Sequence, residues 1–220
     1  VINLRRCLAH GIPVNACDYD SRTALHLAAA DGQVEAVQYL LAHDHPIHVR
    51  DRWGSTPLDE ARREARDEVI ELLSAAEKEF STLTMLADYG AIGRATLFVT
   101  RFALAYGVEP LVPHRASAVL EDVLAGFIDA IDENNVEGQI KLELEVVDEL
   151  LVVAISGMGP EFNPLEPAQD SDSDSEDAHM REISLKLIKG LSDDAAYERR
   201  DDLNVLVLKF KLGSLPGGPI

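Results

Sequence analysis

Cysteine is almost missing from this 220-residue chain: Cys7 and Cys17 are the whole supply. Two are too few for a disulfide framework, and their spacing is not that of a Cys-x-x-Cys metal half-site, so the sequence points to a reducing, cytoplasmic setting. Long apolar runs are missing too. No stretch reaches the roughly 18 apolar residues of a membrane span. The opening Val1-Ile2-Asn3-Leu4-Arg5-Arg6 lacks the apolar core of a signal peptide, so the chain reads as soluble and without a membrane partner. Positive charge is scarce: 20 Lys and Arg stand against 39 Asp and Glu, a formal net charge of −19, with most of the acid in the second half. Such a field repels phosphate backbones and anionic lipid, which argues against nucleic acid and for a basic protein partner. Apolar residues, by contrast, are plentiful at 46%, enough to build one large or two small cores.

The strongest pattern is an internal repeat. Asp18 to Gly32 reads D-Y-D-S-R-T-A-L-H-L-A-A-A-D-G, and Asp51 to Ala61 returns as D-R-W-G-S-T-P-L-D-E-A, a shift of 33 that also aligns Pro13 with Pro46, Val37 with Ile70 and Leu40 with Leu73. Thr23-Ala-Leu-His-Leu-Ala28 and Thr56-Pro-Leu-Asp-Glu-Ala61 resemble the T-P-L-H-x-A signature of the ankyrin repeat. The resemblance implies an α-helical solenoid over residues 1–78, in which Thr23 caps a short helix and ties to the His26 imidazole. Leu25, Ala28 and Ala29 would then face the neighbouring repeat, with Val34, Val37, Leu40 and Leu41 on the other apolar face. Leu4 and Leu8 align with Val37 and Leu41, so residues 3–10 read as the second helix of a truncated repeat, implying a sequence that begins inside a longer array. Asp44 takes the place of a capping glycine. The same fingers resemble the ankyrin tails of some glutaminases and asparaginases, which would make the chain the regulatory tail of a larger amidohydrolase.

No residue set in this half carries chemistry. His43, His45 and His48 are read as a solvated turn and not as a metal site, because structural zinc takes four ligands and no cysteine is adjacent. Tyr19, Asp20, Arg22, Arg52 and Trp53 sit on the finger tips. Aromatic and arginine side chains on a protruding edge are the usual material of interface anchors, which makes these five the candidate partner-binding residues. For Trp53 the alternative of packing on the next repeat stays open.

Beyond residue 78 the period is lost and a second domain, 79–213, begins, followed by a tail at 214–220. Its pattern predicts a strand at 81–86, a helix at 92–106, a long buried helix at 116–131 and a hairpin of 140–147 with 150–155 turned at Asp148-Glu149. A helix at 181–191 and strands at 195–199 and 204–212 complete an α+β sandwich, helices on one face of a sheet. The helix A-S-A-V-L-E-D-V-L-A-G-F-I-D-A-I, the strand and loop V-V-A-I-S-G-M-G-P-E-F-N and the closing N-V-L-V-L-K-F-K-L resemble the anti-sigma-factor serine kinases, a branch of the histidine kinase and Hsp90-like ATPases.

That resemblance assigns roles, and the chain departs from most of them. The general base of the family would be Glu121, which is present, but the magnesium-ligating asparagine four residues on is Ala125, which has no oxygen to offer a hard cation. The aspartate that accepts from adenine is Gly157, although the glycine of that motif remains as Gly159. The phosphate-loop glycines are replaced in Glu182-Ile-Ser184-Leu185, which crowds the approach and adds a negative charge. Where the nucleotide lid lies in the family, Gln169 to Asp177 alternates Ser with Asp, a like-charge run that predicts a disordered loop over 166–180. Ser171 and Ser173, each with an acid three residues on, resemble acidophilic kinase sites, where phosphate would strengthen the hold on a basic partner; a plain solubilising loop is the alternative.

Two functions follow from these losses. One is a non-catalytic regulatory scaffold, a pseudoenzyme with no cofactor whose two halves bind proteins. The other is an active anti-sigma-type serine kinase that takes ATP and Mg, with Glu121 as base and Asp129 or Asn134 compensating for the metal ligand. The oligomeric state is not set by the sequence.

Overall fold

The structure, a computed structural model, describes residues 2–43, 45–132, 138–166 and 176–213. The chain divides into two compact units, Val1–Phe80 and Ser81–Ile220.

In the first unit, α1 (Ile2–Ala9) leads by an extended finger to α2 (Ala24–Ala30) and α3 (Val34–Leu41), and a second finger leads to α4 (Pro57–Arg63) and α5 (Asp67–Ser81). Small residues allow the stacking. Ala28, Ala29 and Ala61 are buried with Leu25, Leu58 and Val37, so α2 packs on both α3 and α4. The turn between α2 and α3 needs a left-handed residue and uses Gly32 at φ +70°; one period on, Ala65 holds the same conformation at φ +51°. The two repeats are tied by Arg66, whose Nε donates to the Ala30 carbonyl at 2.9 Å.

His45 and His48 depart from the solvated turn that their spacing predicts. Both are buried under the second repeat, while His43 stays exposed against Tyr39. His45 Nδ1 bonds the Pro46 carbonyl at 2.8 Å, and α5 covers His48, whose ring lies tilted against Phe80 with its Nδ1 3.7 Å from a Glu77 carboxylate oxygen. Among the described residues no group of three His, Cys, Asp or Glu is placed to hold a metal.

Burial pushes the His48 imidazole down to about 4, from an ordinary value of 6.5, with Arg50 adding to the effect. The fold therefore holds His48 neutral where the unfolded chain takes up a proton, so stability is full above pH 6.5 and is lost as pH falls toward 4. His45, also lowered by burial, acts in the same direction; the Glu77 carboxyl, raised by burial, acts in the opposite one. The expected result is a net loss of up to about 3 kcal/mol between pH 7 and 4 in urea unfolding, flattened in His48→Gln. An equal pH slope in the variant would remove the assignment to His48.

The second unit starts with β1 (Thr82–Leu86), then α6 (Gly90–Ala105), α7 (Leu111–Asp132), the hairpin β2 (Gln139–Val147) and β3 (Leu150–Met158), α8 (Glu176–Leu191), and the hairpin β4 (Asp194–Arg200) and β5 (Leu203–Lys211). The sheet order is β1-β2-β3-β5-β4, every pair antiparallel. Asp148 and Glu149 take φ of +48° and +62°, the two-residue turn that the twist of a hairpin favours. Leu151, Val153 and Ile155 of β3 and Leu206, Leu208 and Phe210 of β5 are buried on one side of the sheet, against which α7 packs with its buried Leu120, Leu124 and Phe127, while α6 packs on β1 and β2.

Element ends shift by one to three residues throughout, and two helix starts differ by more. The long helix begins at Leu111, not Ala116, because Pro113 falls in its first turn, where a missing N–H is harmless. The last helix begins at Glu176, not Arg181, so residues 176–180 of the expected disordered loop are helical. Residues 167–175, with Ser171 and Ser173, lie outside the described residues, as do Asp44, Asn134 and the tail at 214–220. Among the described residues no helix is long and apolar enough to cross a membrane.

Candidate functional site

In the second unit the positions singled out by sequence gather where the middle of α7, the loop after β3 and α8 meet. Glu121 is exposed on α7, and Ala125 follows one turn later beside Gly126. Gly157 is buried within β3, opposite Ile140 on one side and Asn204 on the other. Gly159 comes immediately after the strand with φ +158°, under the Ile131 side chain, which would lie 3.1 Å from any Cβ added there.

The loop from Gly159 to Phe162 is fastened down. Asn204 Oδ1 accepts from the Phe162 N–H at 3.1 Å, the Tyr197 hydroxyl at 2.7 Å and the Arg199 guanidinium at 2.8 Å, while its Nδ2 donates to the Pro160 carbonyl at 2.8 Å. Arg199 also donates to the Gly159 carbonyl at 2.8 Å, and the Gly159 N–H bonds the Asp202 carbonyl at 3.0 Å. Held this way, the loop lays the Phe162 ring on the bare backbone of Gly126, so close that a Cβ added there would collide with the ring, and edge-on to Phe127 at 5.1 Å. The surface next to Ala125 is thus covered by an aromatic ring.

Sequence reasoning missed this clamp. Its signal was present: in N-V-L-V-L-K-F-K-L, Asn204 falls in step with the inward Leu206, Leu208 and Phe210, and a polar residue on an apolar face needs partners.

The segment Glu182 to Leu185 sits well inside α8, more than one turn from its start at Glu176. Ser184 Oγ donates to Asp122 of α7 at 2.9 Å, and Glu182 pairs with Lys186 at 2.7 Å, a bond that holds its carboxyl below the usual range. Asp129 receives a short hydrogen bond from the Tyr89 hydroxyl.

In the first unit the fingers bring four of the five candidate partner-binding residues together. The Arg52 guanidinium bonds Asp20 at 2.9 Å and lies over both the Tyr19 ring, at 5.4 Å, and the Trp53 ring, at 5.6 Å. Tyr19 is 92% and Trp53 65% exposed, so Trp53 is not packed under a neighbouring repeat. Arg22 is not part of the group: half-buried, it turns to Asp18 at 3.3 Å, and the backbone amides of Asp20 and Arg22 hold the same carboxylate, lowering its proton affinity.

Comparisons with known proteins fall on the same two units. The family model for ankyrin repeats (many copies) matches residues 8–61, and that for the histidine kinase-like ATPase domain matches residues 85–210. Among curated proteins, potassium channel KOR1 of Oryza sativa subsp. japonica is 45% identical over 74 residues, 34% of this chain and 9% of the channel. The mitochondrial liver isoform of glutaminase from Mus musculus is 46% identical over 72 residues, 32% of this chain and 12% of the glutaminase. Serine/threonine-protein kinase VIK of Arabidopsis thaliana is 40% identical over 62 residues, 28% of this chain and 14% of the kinase. The chain thus spans about a tenth of the length of these relatives. A solved structure, Acinetobacter baumannii histidine kinase AdeS, aligns with 90% of this chain and 100% of its own at 14% identity and a TM-score of 0.36, a likeness too low to carry an argument.

Proposed function

The chain belongs to the histidine kinase-like ATPase domain family, with ankyrin repeats ahead of that domain, and from this premise we propose that it is a non-catalytic interaction protein whose two units each bind protein partners. The observation that carries the proposal is the position of Glu182 to Leu185. A phosphate is bound by backbone N–H groups left free at a glycine turn or a helix start. Here those N–H groups lie inside α8 and point at the carbonyls of the preceding turn, with the Glu182 carboxylate beside them.

The other positions support the same reading. Ala125 supplies no oxygen for magnesium, Gly157 supplies no acceptor for an adenine amino group, and Phe162 covers the neighbouring helix surface. The residues present do not fit magnesium-ATP. The acid excess favours basic partner surfaces, and the exposed Tyr19, Arg52 and Trp53 array is the anchor we assign to the ankyrin half. Isothermal titration of the chain with ATP and Mg²⁺ is expected to show no heat beyond dilution; a micromolar dissociation constant would overturn the proposal.

Glu121 favours the second reading, an anti-sigma-type serine kinase, because the base is retained and exposed on α7. That reading requires transfer of labelled phosphate to a protein substrate, abolished in Glu121→Ala. Its auxiliary metal ligand Asp129 already accepts from Tyr89.

A further inference from the structure

The two fingers of the ankyrin unit are built on the same turn. Asp18 Oδ1 accepts from the backbone N–H groups of Asp20 and Arg22, both at 2.9 Å, and one period on Asp51 Oδ1 accepts from those of Trp53 and Ser55, both at 2.9 Å. A carboxylate that holds two amides of its own loop fixes that loop before any partner arrives. The Arg52 N–H donates to the Asp20 carbonyl at 2.9 Å and joins the two fingers, while Arg50 braces the second through the Gly54 carbonyl at 2.6 Å. Tyr19 and Asp20 of the first turn are thereby set beside Arg52 and Trp53 of the second.

These four side chains form a cation site with the chain's own cation in it. The Arg52 guanidinium is near enough to the faces of Tyr19 and Trp53 to be attracted by both, and it donates to the Asp20 carboxylate. Two ring faces and a carboxylate are the parts of an aromatic cage for a cation. The occupant is held loosely. Arg52 is itself half-exposed, both rings are mostly open to water, and exposed cation–π contacts and exposed ion pairs are each weak. Asp18 does not draw the cation away, because Arg22 and two backbone amides already engage it.

We infer that Tyr19, Trp53 and Asp20 form a recognition site for an arginine side chain of a basic protein segment, and that Arg52 is the stand-in which that arginine displaces. The present occupant argues for arginine over lysine. A planar guanidinium lies on ring faces while an in-plane N–H reaches a carboxylate; a compact, strongly hydrated ammonium stacks less well. The charge fits as well: with Arg52 swung out, Asp20 meets the incoming cation, and a net charge of −19 draws basic segments toward the chain. This role rests on the finger tips being a partner anchor and names what they hold. It does not involve α8, so the ATP titration and the test below can fail separately.

Trp53 is the only tryptophan of the chain and one wall of the cage, so its fluorescence reports occupancy. The full chain is titrated at about 150 mM salt, where exposed charges are largely screened, with a blocked Arg-Gly repeat peptide and a Lys-Gly peptide of equal length and charge. The arginine peptide is expected to change Trp53 emission saturably, and the lysine peptide to require about fivefold more or higher. Arg52→Ala removes the competitor and is expected to tighten arginine-peptide binding about tenfold, because an occupied site binds in proportion to the fraction that stands open. Arg52→Gln, which can still donate to Asp20 and keep the fingers joined, is expected to act in the same direction by a smaller step. In the Arg52→Ala chain, adding Tyr19→Ala or Asp20→Asn is expected to weaken binding about tenfold, with helical ellipticity unchanged. Weaker or equal binding in both Arg52 variants overturns the inference and leaves Arg52 as a contact residue of the anchor. Equal affinity for the lysine peptide, or no Trp53 response in any variant, overturns it as well.

Discussion

Asn204→Ala is expected to lower the unfolding free energy of the second unit by about 3 kcal/mol, because one buried amide serves four groups. Asn204 is only 3% exposed, and its removal leaves the Phe162 N–H, the Tyr197 hydroxyl and one Arg199 donor without their acceptor, and the Pro160 carbonyl without its donor. A lost intramolecular bond alone costs about 1 kcal/mol, whereas a buried group left unsatisfied costs about 1–3 kcal/mol. All four partner residues are partly exposed and recover some hydration, which keeps the expected loss near about 3 kcal/mol rather than the sum of four unsatisfied groups. Asn204→Asp separates bonding from packing: it keeps the acceptor, and although it turns a carboxylate oxygen toward the Pro160 carbonyl, the adjacent Arg199 guanidinium offsets the charge, so about 1–2 kcal/mol is expected. Calorimetry measures the global loss, and hydrogen exchange should show the Gly159 and Phe162 amides opening far faster in Asn204→Ala than in Asn204→Asp. Equal losses in the two variants, or unchanged exchange at Phe162, would show that the loop is held by something else.

The clamp also marks where sequence reasoning stops. The solenoid was legible because its periodicity constrains neighbours at fixed spacing: Thr23, Leu25, His26 and Ala28 read correctly as cap, core, tie and close contact. The sandwich was legible strand by strand because β2, β3 and β5 bury every second residue. The residue types at Ala125 and Gly157 were equally visible, since a side chain's chemistry is read directly from its type. What could not be read was what packs beside those residues. Phe162 on Gly126 and Arg199 on Gly159 join residues about 40 positions apart through loop geometry that no local pattern encodes. The burial of His48 escaped for the same reason, since its cover comes from α5 through Glu77 and Phe80. The start of α8 escaped because a run of acid reads as unstructured, yet acid at a helix start is favoured by the dipole.

His26→Ala is expected to cost the ankyrin unit about 3 kcal/mol, the second largest single-residue effect, because the imidazole bridges the repeats. The hydrogen bonds fix its tautomer. The Thr23 N–H donates to Nδ1 at 3.1 Å, so Nδ1 is the acceptor, joined there by the Thr23 hydroxyl at 2.9 Å; Nε2 therefore carries the proton and donates to the Ser55 carbonyl of the next repeat at 3.1 Å. His26 is 1% exposed, so alanine removes both ties and leaves a cavity and an unsatisfied carbonyl. The second repeat supplies an internal control. Asp59 stands where His26 stands one period earlier and makes the same cap, accepting from the Thr56 N–H at 2.9 Å and its hydroxyl at 2.8 Å, but it is exposed and no further repeat is stacked on it. Asp59→Ala is thus expected to cost only about 1 kcal/mol, the value of a cap. His26→Asp is expected to cost at least as much as His26→Ala, because it keeps the cap but points a buried carboxylate at the Ser55 carbonyl. For a unit of this size about 3 kcal/mol lowers the melting temperature by roughly 12–24 °C, to be read as helical ellipticity at 222 nm together with Trp53 fluorescence. If His26→Asp proves as mild as Asp59→Ala, the Nε2 bond to Ser55 contributes nothing and the repeats are joined by apolar contact and the Arg66 and Arg52 ties.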